Sequence, residues 1–407
     1  MVNRREYLDR LISWREHQII KVVTGVRRCG KSTLFSLYMA YLKASGVTGE
    51  QIVSVNLEDV DSEQLQDYRA LHAYISDRLC KGKYTYVFID EVQNCAQFEK
   101  VVDSLLVKQN VDVYITGSNA YMLSGELATL LSGRYVEIRM LPLSFAEFVS
   151  FTNEYNQQNH ELLSRFNAYL QYGSFPYVSM LRSDKSMIRD YLDGIYNTIL
   201  IKDVASRERI TDLSVLESIV KFLGGSIGSP ISAKRISDAI NASGRRISVN
   251  TVDRYLRALT DSFLFYKVDR FDIRGKQNLK TLGKYYIVDT GLRNMLVSGS
   301  SPDLGHILEN IIYLELIRRG YDVSIGKLAE KEIDFVASDN NGIAYYQVSA
   351  STLDADTLAR ELEPLRKIAD NHPKYLLTLD EYMPAANYDG IRKLNVLDWL
   401  LAPPPQH

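Results

Sequence analysis

Eight consecutive residues, Gly25-Val26-Arg27-Arg28-Cys29-Gly30-Lys31-Ser32, hold the densest chemistry in the chain. Glycine at each end lets the backbone curl until several N–H groups face one point. A lysine and a hydroxyl follow at once. Such a loop suits a polyphosphate, with Lys31 reaching the β- and γ-phosphates and Ser32 ligating Mg²⁺. Arg27, Arg28, Cys29 and Thr33 complete the stretch that would wrap ATP. The chemistry requires a strand before the loop and a helix after it. Ile19-Ile20-Lys21-Val22-Val23-Thr24 supplies the strand, and residues 33–44 read as the helix. A glycine-bounded turn that binds nothing is the bland alternative, and eight matched positions with both flanks correct weigh against it.

A second group lies downstream. Tyr86-Val87-Phe88-Ile89 is a buried-strand pattern ending in Asp90-Glu91. In a phosphate-loop protein the first acid holds the metal and the second polarises water, so Asp90 is expected in the Mg²⁺ shell and Glu91 as general base. Strand ends are often acidic, and the pair gains its meaning from the loop upstream. Val113-Tyr114-Ile115-Thr116-Gly117 is a further apolar strand, ending at Ser118 and Asn119. Ligands of open parallel sheets sit beyond the carboxyl ends of the strands. Either residue is therefore placed for the γ-phosphate or the attacking water, unless the turn merely begins with small polar residues.

The elements that must position these groups fit an ordinary globular chain. The 407 residues allow two to four domains, and 24% charged with 46% hydrophobic residues describe a soluble protein. A net charge of −2 excludes whole-molecule attraction to nucleic acid, so any such binding needs a local patch. No apolar run is long enough for a membrane helix, and the amino terminus leads into an amphipathic helix over 5–17. This helix is expected beside the nucleotide pocket. Cys29, Cys80 and Cys95 lack metal-ligand spacing, and their odd count suits reduced thiols in a cytoplasm.

The motifs in order are Gly25–Ser32, Phe88-Ile89-Asp90-Glu91, Thr116-Gly117-Ser118-Asn119, Leu131-Ser132-Gly133-Arg134 and Leu141-Pro142-Leu143-Ser144-Phe145-Ala146-Glu147-Phe148. Together they resemble the AAA+ ATPases of a prokaryotic family with a carboxyl-terminal domain of unknown function. The resemblance implies that Lys31 and Ser32 match Walker A and that Asp90 and Glu91 match Walker B. Ser118 and Asn119 fall on the sensor position, and Asn56, ending the strand 52–56, on the polar partner that restrains the base. Arg134 resembles an arginine finger, which would make the protein a homo-oligomer; a surface arginine is the alternative. The helical stretch 145–212 would be the lid. Its usual Gly-Gly-Phe-Pro turn reads Gly173-Ser174-Phe175-Pro176 here, with the Pro176 kink retained.

Residues 215–268 change character. Three helices, at 215–224, at 233–241 and after Ser248, precede the strand 263–268 and, after a basic loop, its partner at 285–288, the pattern of a winged helix. Between 215 and 284 stand 13 Lys or Arg against 6 Asp or Glu, a net of +7. That local excess suits contact with DNA phosphates through Arg245, Arg246, Arg254, Arg257 and Lys276. A winged helix used for packing between domains is the alternative.

After residues 299–302 come a helix at 303–319 with Glu309 and Glu315, strands at 321–325, 332–336 and 343–349, a helix at 354–370 and a strand at 374–379. Glu, then Asp334, then a polar pair resembles the restriction-endonuclease-like fold. Cleavage of that class needs Asp followed by Glu-x-Lys, whereas this chain has Gln347-Val348-Ser349. A neutral ligand and a missing ammonium point to lost cleavage chemistry.

The reading is an α/β chain in four parts: a phosphate-loop AAA+ core with a parallel sheet over 1–145, a helical lid over 146–212, a winged helix over 213–290 and a degenerate nuclease-like α/β domain over 300–401. It would be a cytoplasmic ATPase using ATP and Mg²⁺ that couples nucleotide state to DNA. A nucleotide-gated signalling or scaffold switch that binds protein partners is the rival, and a metal-dependent nuclease the weaker one. The tail 403–405 is expected to lack order.

Overall fold

The computed structural model describes residues 4–120, 133–155, 162–181, 184–297 and 303–403. Leu131 and Ser132 of the fourth motif, the linker expected over 299–302 and most of the proline tail lie outside them. The chain divides into two compact units, Met1–Pro142 with Asp261–Phe263, and Leu143–Thr260 with Leu264–His407.

The first unit is built on strands β1 (Ile20–Thr24), β2 (Ile52–Asn56), β3 (Thr85–Asp90), β4 (Val111–Gly117) and β5 (Tyr135–Arg139), in the spatial order β2-β3-β4-β1-β5. Each neighbouring pair is parallel. A parallel sheet is covered on both faces by its crossover helices, which is why β1, β3 and β4 are buried along their whole length and read as largely apolar runs, the interior Lys21 of β1 and Asp112 of β4 pairing with each other. Their register aligns the carboxyl ends. Thr24 stands beside Gly117, and Asn56 beside Asp90. Loop 25–30, the acids at 90–91 and the polar end of β4 therefore meet at one edge of the sheet.

The phosphate loop is buttressed from behind. Helix α1 (Arg5–Ser13) is shorter than the expected 5–17, because Trp14, Arg15 and Glu16 form a turn and Glu16 has φ +60°. Arg4, just ahead of it, donates to the carbonyls of Cys29 (3.2 Å) and Leu141 (2.6 Å). Tyr7 Oη accepts from the Leu141 N–H at 3.2 Å. Gly25 has φ +151°, and a Cβ there would stand 2.1 Å from the Met140 carbonyl oxygen. Only glycine fits.

In the second unit, helices Phe145–Tyr155, Leu162–Tyr172 and Lys185–Thr198 lead into a π-helical stretch, Ile199–Ala205. The turn at 173–176 is tied to Asp289, which accepts from the Ser174 N–H (2.6 Å) and hydroxyl (3.0 Å) and also caps a short helix at the Leu292 N–H (2.9 Å). The serine is thus engaged through its own side chain. Gly173 has φ +84°, and a Cβ would stand 2.2 Å from the Asp289 carboxylate.

Next come helix Leu213–Gly225, strand β6 (Pro230–Ile231), helices Ala233–Ala242 and Val249–Asp261, and a ribbon of β7 (Phe265–Asp272) and β8 (Gln277–Ile287). The segment read as a basic loop between 268 and 285 is mostly strand, turning only at 273–276. After helix Leu304–Arg318 follow β9 (Asp322–Leu328), β10 (Lys331–Asp339) and β11 (Gly342–Ser349). Helix Ala355–Arg366 precedes β12 (Lys374–Thr378), β13 (Ala386–Tyr388) and β14 (Ile391–Asn395). All of β6 to β14 form one nine-stranded sheet, ordered β13-β14-β12-β11-β10-β9-β7-β8-β6. The join is a parallel pairing of β7 with β9, with Phe271 opposite Gly326. A Cβ on Gly326 would lie 3.0 Å from Ile273, Ile333 and Val336 at once. The segments 213–290 and 300–401, read as separate domains, share this sheet.

Candidate functional site

Lys31 opens the helix Lys31–Ala44, whose first N–H groups face the loop it follows. Gly30 precedes it in the left-handed conformation, φ +109°. The Lys31 ammonium is buried, donating to the Gly25 carbonyl (3.0 Å) and the Val26 carbonyl (3.4 Å) and pairing with Glu91 Oε1 at 3.3 Å. Burial disfavours its charge, but Glu91, Cys29 and Asp90 outweigh that and raise its pKa above the ordinary lysine value. Ser32 and Thr33 are exposed at the first turn. Within the loop Arg27 is nearly buried and pairs with Glu58 at 2.7 Å, whereas Arg28 is exposed with φ +69°. Burial pushes the Cys29 thiol up, against the pull of Lys31 and Arg4.

Asp90 and Glu91 are both buried and are held differently. Asp90 Oδ1 accepts from the Thr116 hydroxyl. Burial raises its pKa, opposed by hydrogen bonds from Ser32 and Thr116. A hydroxyl and a carboxylate joined in this way are hard oxygen donors and fit Mg²⁺, which characteristically takes one or two protein groups together with substrate phosphates. Glu91 sits at φ +52°, where its N–H donates to Thr116 Oγ1 at 2.9 Å. Burial would raise its pKa, but Lys31, the Gln93 amide and Arg27 prevail and lower it, keeping a carboxylate available as a base.

Two residues of this site escaped the sequence reading. Thr116 pins the side chain of one acid and the backbone of the next, a role that a hydroxyl one residue before the end of β4 does not announce in the sequence. Gln93 lies on the 3₁₀ turn Val92–Asn94 and donates through Nε2 to Glu91 Oε2 and to Ser118 Oγ (3.3 Å). Asn56, expected to restrain the base, is exposed and instead accepts from the Glu58 N–H at 3.0 Å. Ser118 and Asn119 are buried beyond β4. Arg134 lies elsewhere. It precedes β5 at the amino end, its carbonyl bonded to the Ile20 N–H, and its guanidinium pairs with Asp103 at 2.9 Å.

In the second unit, Asn250, Arg254 and Arg257 share one exposed face of helix Val249–Asp261, opposite buried Val252, Tyr255, Leu256 and Leu259. Arg246 is exposed nearby, while Arg245 is tied to helix Leu213–Gly225 through the Ser214 carbonyl (2.8 Å) and Ser218 Oγ (2.9 Å). Lys276 stands exposed in the ribbon turn with φ +49°. Asp334 is buried on β10, accepting from the Val348 N–H at 2.8 Å, and Gln347 donates to Glu361 at 2.9 Å. Lys284, from β8, pairs with Glu309 (3.2 Å) and Glu332 (2.8 Å). Burial pulls its ammonium down, but Glu309, Asp334 and Glu332 together raise it above the ordinary lysine value. Asp334 is pushed well up by burial and by Glu309, with Lys284 opposing.

Comparison with known proteins defines the class first. Residues 17–149 match the model of an AAA domain, and residues 163–303 that of a domain of unknown function. The Walker-type ATPase of Pyrococcus abyssi shares the fold, with a TM-score of 0.53 at 14% identity over 73% of this chain and 96% of that one. Residues 17–149 are thus an AAA-type domain with the fold of a P-loop ATPase. The whole chain is 39% identical over 402 residues to an uncharacterized protein of Haemophilus influenzae, covering 98% of this chain and 99% of the relative, and it belongs to that family. An uncharacterized protein of Methanocaldococcus jannaschii is 29% identical over 79% of this chain and 73% of its own length.

Proposed function

We propose that the protein hydrolyses ATP with Mg²⁺ and couples its nucleotide state to DNA contacted by residues 213–290, with a nuclease-like 300–401 segment that does not cut. The observation that carries the first part is the Lys31–Glu91–Asp90–Thr116 cluster at the mouth of a glycine-bounded loop. Backbone N–H groups of residues 25–32 and the start of helix Lys31–Ala44 would bind the phosphates, with Lys31 moving from the loop carbonyls to phosphate oxygens. Ser32 and Asp90 would hold Mg²⁺, which when bound neutralises phosphoryl charge. Glu91 would take a proton from water, and Ser118 and Asn119 would face the γ-phosphate. The test is Glu91→Gln. It should bind ATP as wild type does while losing most turnover, roughly 10²-fold or more; normal hydrolysis would require another base.

The DNA reading is supported by the exposed Asn250, Arg254 and Arg257 stripe with Arg246 and Lys276. The reading of lost cleavage is supported by Gln347 and Ser349, which stand where an acid and a lysine would be needed, with the Gln347 amide already donating to Glu361 and Glu309 already paired with Lys284. A second reading, a switch that binds protein partners, draws on Arg245, whose guanidinium serves helix packing.

A further inference from the structure

The carboxamide of Gln93 is engaged at one end only. Its Nε2 donates to Glu91 Oε2 and Ser118 Oγ, while its Oε1 is buried and meets no donor among the described residues. The orientation is forced, because a carboxylate only accepts and the NH₂ end must face Glu91. A buried carbonyl with no donor is costly and calls for an explanation, and a ligand that brings the donor is one. The other oxygen of Glu91 is taken by Lys31. A water in reach of both Glu91 and Gln93 Oε1 would have each of its O–H groups assigned.

We propose that Gln93 orients the attacking water, holding Glu91 through Nε2 and accepting one O–H through Oε1. The proposal rests on Glu91 as the base of ATP hydrolysis. In the step, a lone pair of the water oxygen forms the bond to the γ-phosphorus. The bond from phosphorus to the β–γ bridging oxygen breaks, and its electron pair leaves on ADP. One water proton passes to Glu91 and on to solvent, and the other O–H stays bonded to Gln93 Oε1 until phosphate departs. A glutamine that orients water is an established device of phosphoryl transfer. Its place in the chain is local, two residues after the base and on the turn that the base itself begins.

The test separates kcat from KM. Gln93→Leu keeps the volume and removes the amide; kcat should fall roughly 10²-fold while KM for ATP and binding of a non-hydrolysable analogue hold within about threefold. Gln93→Glu keeps size and polarity but places a second carboxylate against Glu91, and it should show the same split, which serves if the leucine variant fails to fold. Wild-type kcat in either folded variant overturns the proposal, as does an equal loss of kcat and nucleotide affinity. Glu91→Gln is run alongside. If it hydrolyses ATP normally, the reading of the base fails; if it is inactive while Gln93→Leu is unimpaired, only the role of Gln93 fails.

Discussion

Two carbonyls and a carboxylate surround the Lys31 ammonium, standing in for what a phosphate would offer it. Removing the lysine takes away the ammonium that the loop carbonyls and Glu91 hold at that point. Lys31→Ala should therefore abolish tight ATP binding by calorimetry, with the fold retained, and unchanged affinity would sink the phosphate-loop reading. Thr116 matters as much as the acids it serves. Its hydroxyl is donor to Asp90 and acceptor from the Glu91 backbone, so the positive φ of Glu91 is held by one side chain from the neighbouring strand. Spacing in the sequence marks the acids because carboxylates are chemically conspicuous. It does not mark Thr116 or Gln93, since their role arises from which strand lies beside β3 and which way the next turn bends.

At the scale of elements, the exposed face of helix Val249–Asp261 makes a quantitative claim. Phosphate contacts release counterions, so DNA affinity of the whole protein should fall steeply with salt. Arg254→Ala with Arg257→Ala should then reduce the slope by about one unit for each phosphate no longer neutralised. A flat salt dependence would favour the protein-partner reading. Lys284 ties β8 to helix Leu304–Arg318 and β10. Lys284→Met strands Glu309 and Glu332 and should cost about 3–5 kcal/mol in denaturant titration, while wild-type protein with Mg²⁺ or Mn²⁺ should leave DNA uncut. Cleavage that disappears in Asp334→Ala would overturn the latter. The parallel core was legible in the sequence because buried strands and glycine turns announce themselves locally. Strand pairing across the second unit was not. Residues 269–284 read as a basic loop because exposed ribbon strands carry Arg and Lys, and the β7–β9 pairing joins segments separated by β8 and two helices. Strands 386–388 and 391–395 are short and polar, with no pattern to betray them.

For the whole molecule, the question is whether turnover needs a second subunit. Arg134 is about half exposed, sits at the amino end of β5 and is paired to Asp103, far along the strand from the loop that follows Thr24. It stands away from the phosphate loop of its own unit, so as an arginine finger it would have to serve a neighbour's phosphates, and as a surface arginine it would serve only Asp103. ATPase rate per subunit should then rise with protein concentration. Arg134→Ala should bind ATP but hydrolyse it poorly, and mixing it with Lys31→Ala should restore some activity; a fully active Arg134→Ala with a concentration-independent rate would make it a surface residue. Among the described residues no helix is long and apolar enough to cross a membrane. The relative from Haemophilus influenzae matches along 99% of its length, so the sequences of both units occur together in that protein as well. That has a practical consequence in the second unit. A gene fragment ending before β9 would leave β7 with a bare row of amide and carbonyl groups, an open sheet border that recruits other chains. Such a fragment should precipitate, and the pieces of this unit are not separable cloning cassettes.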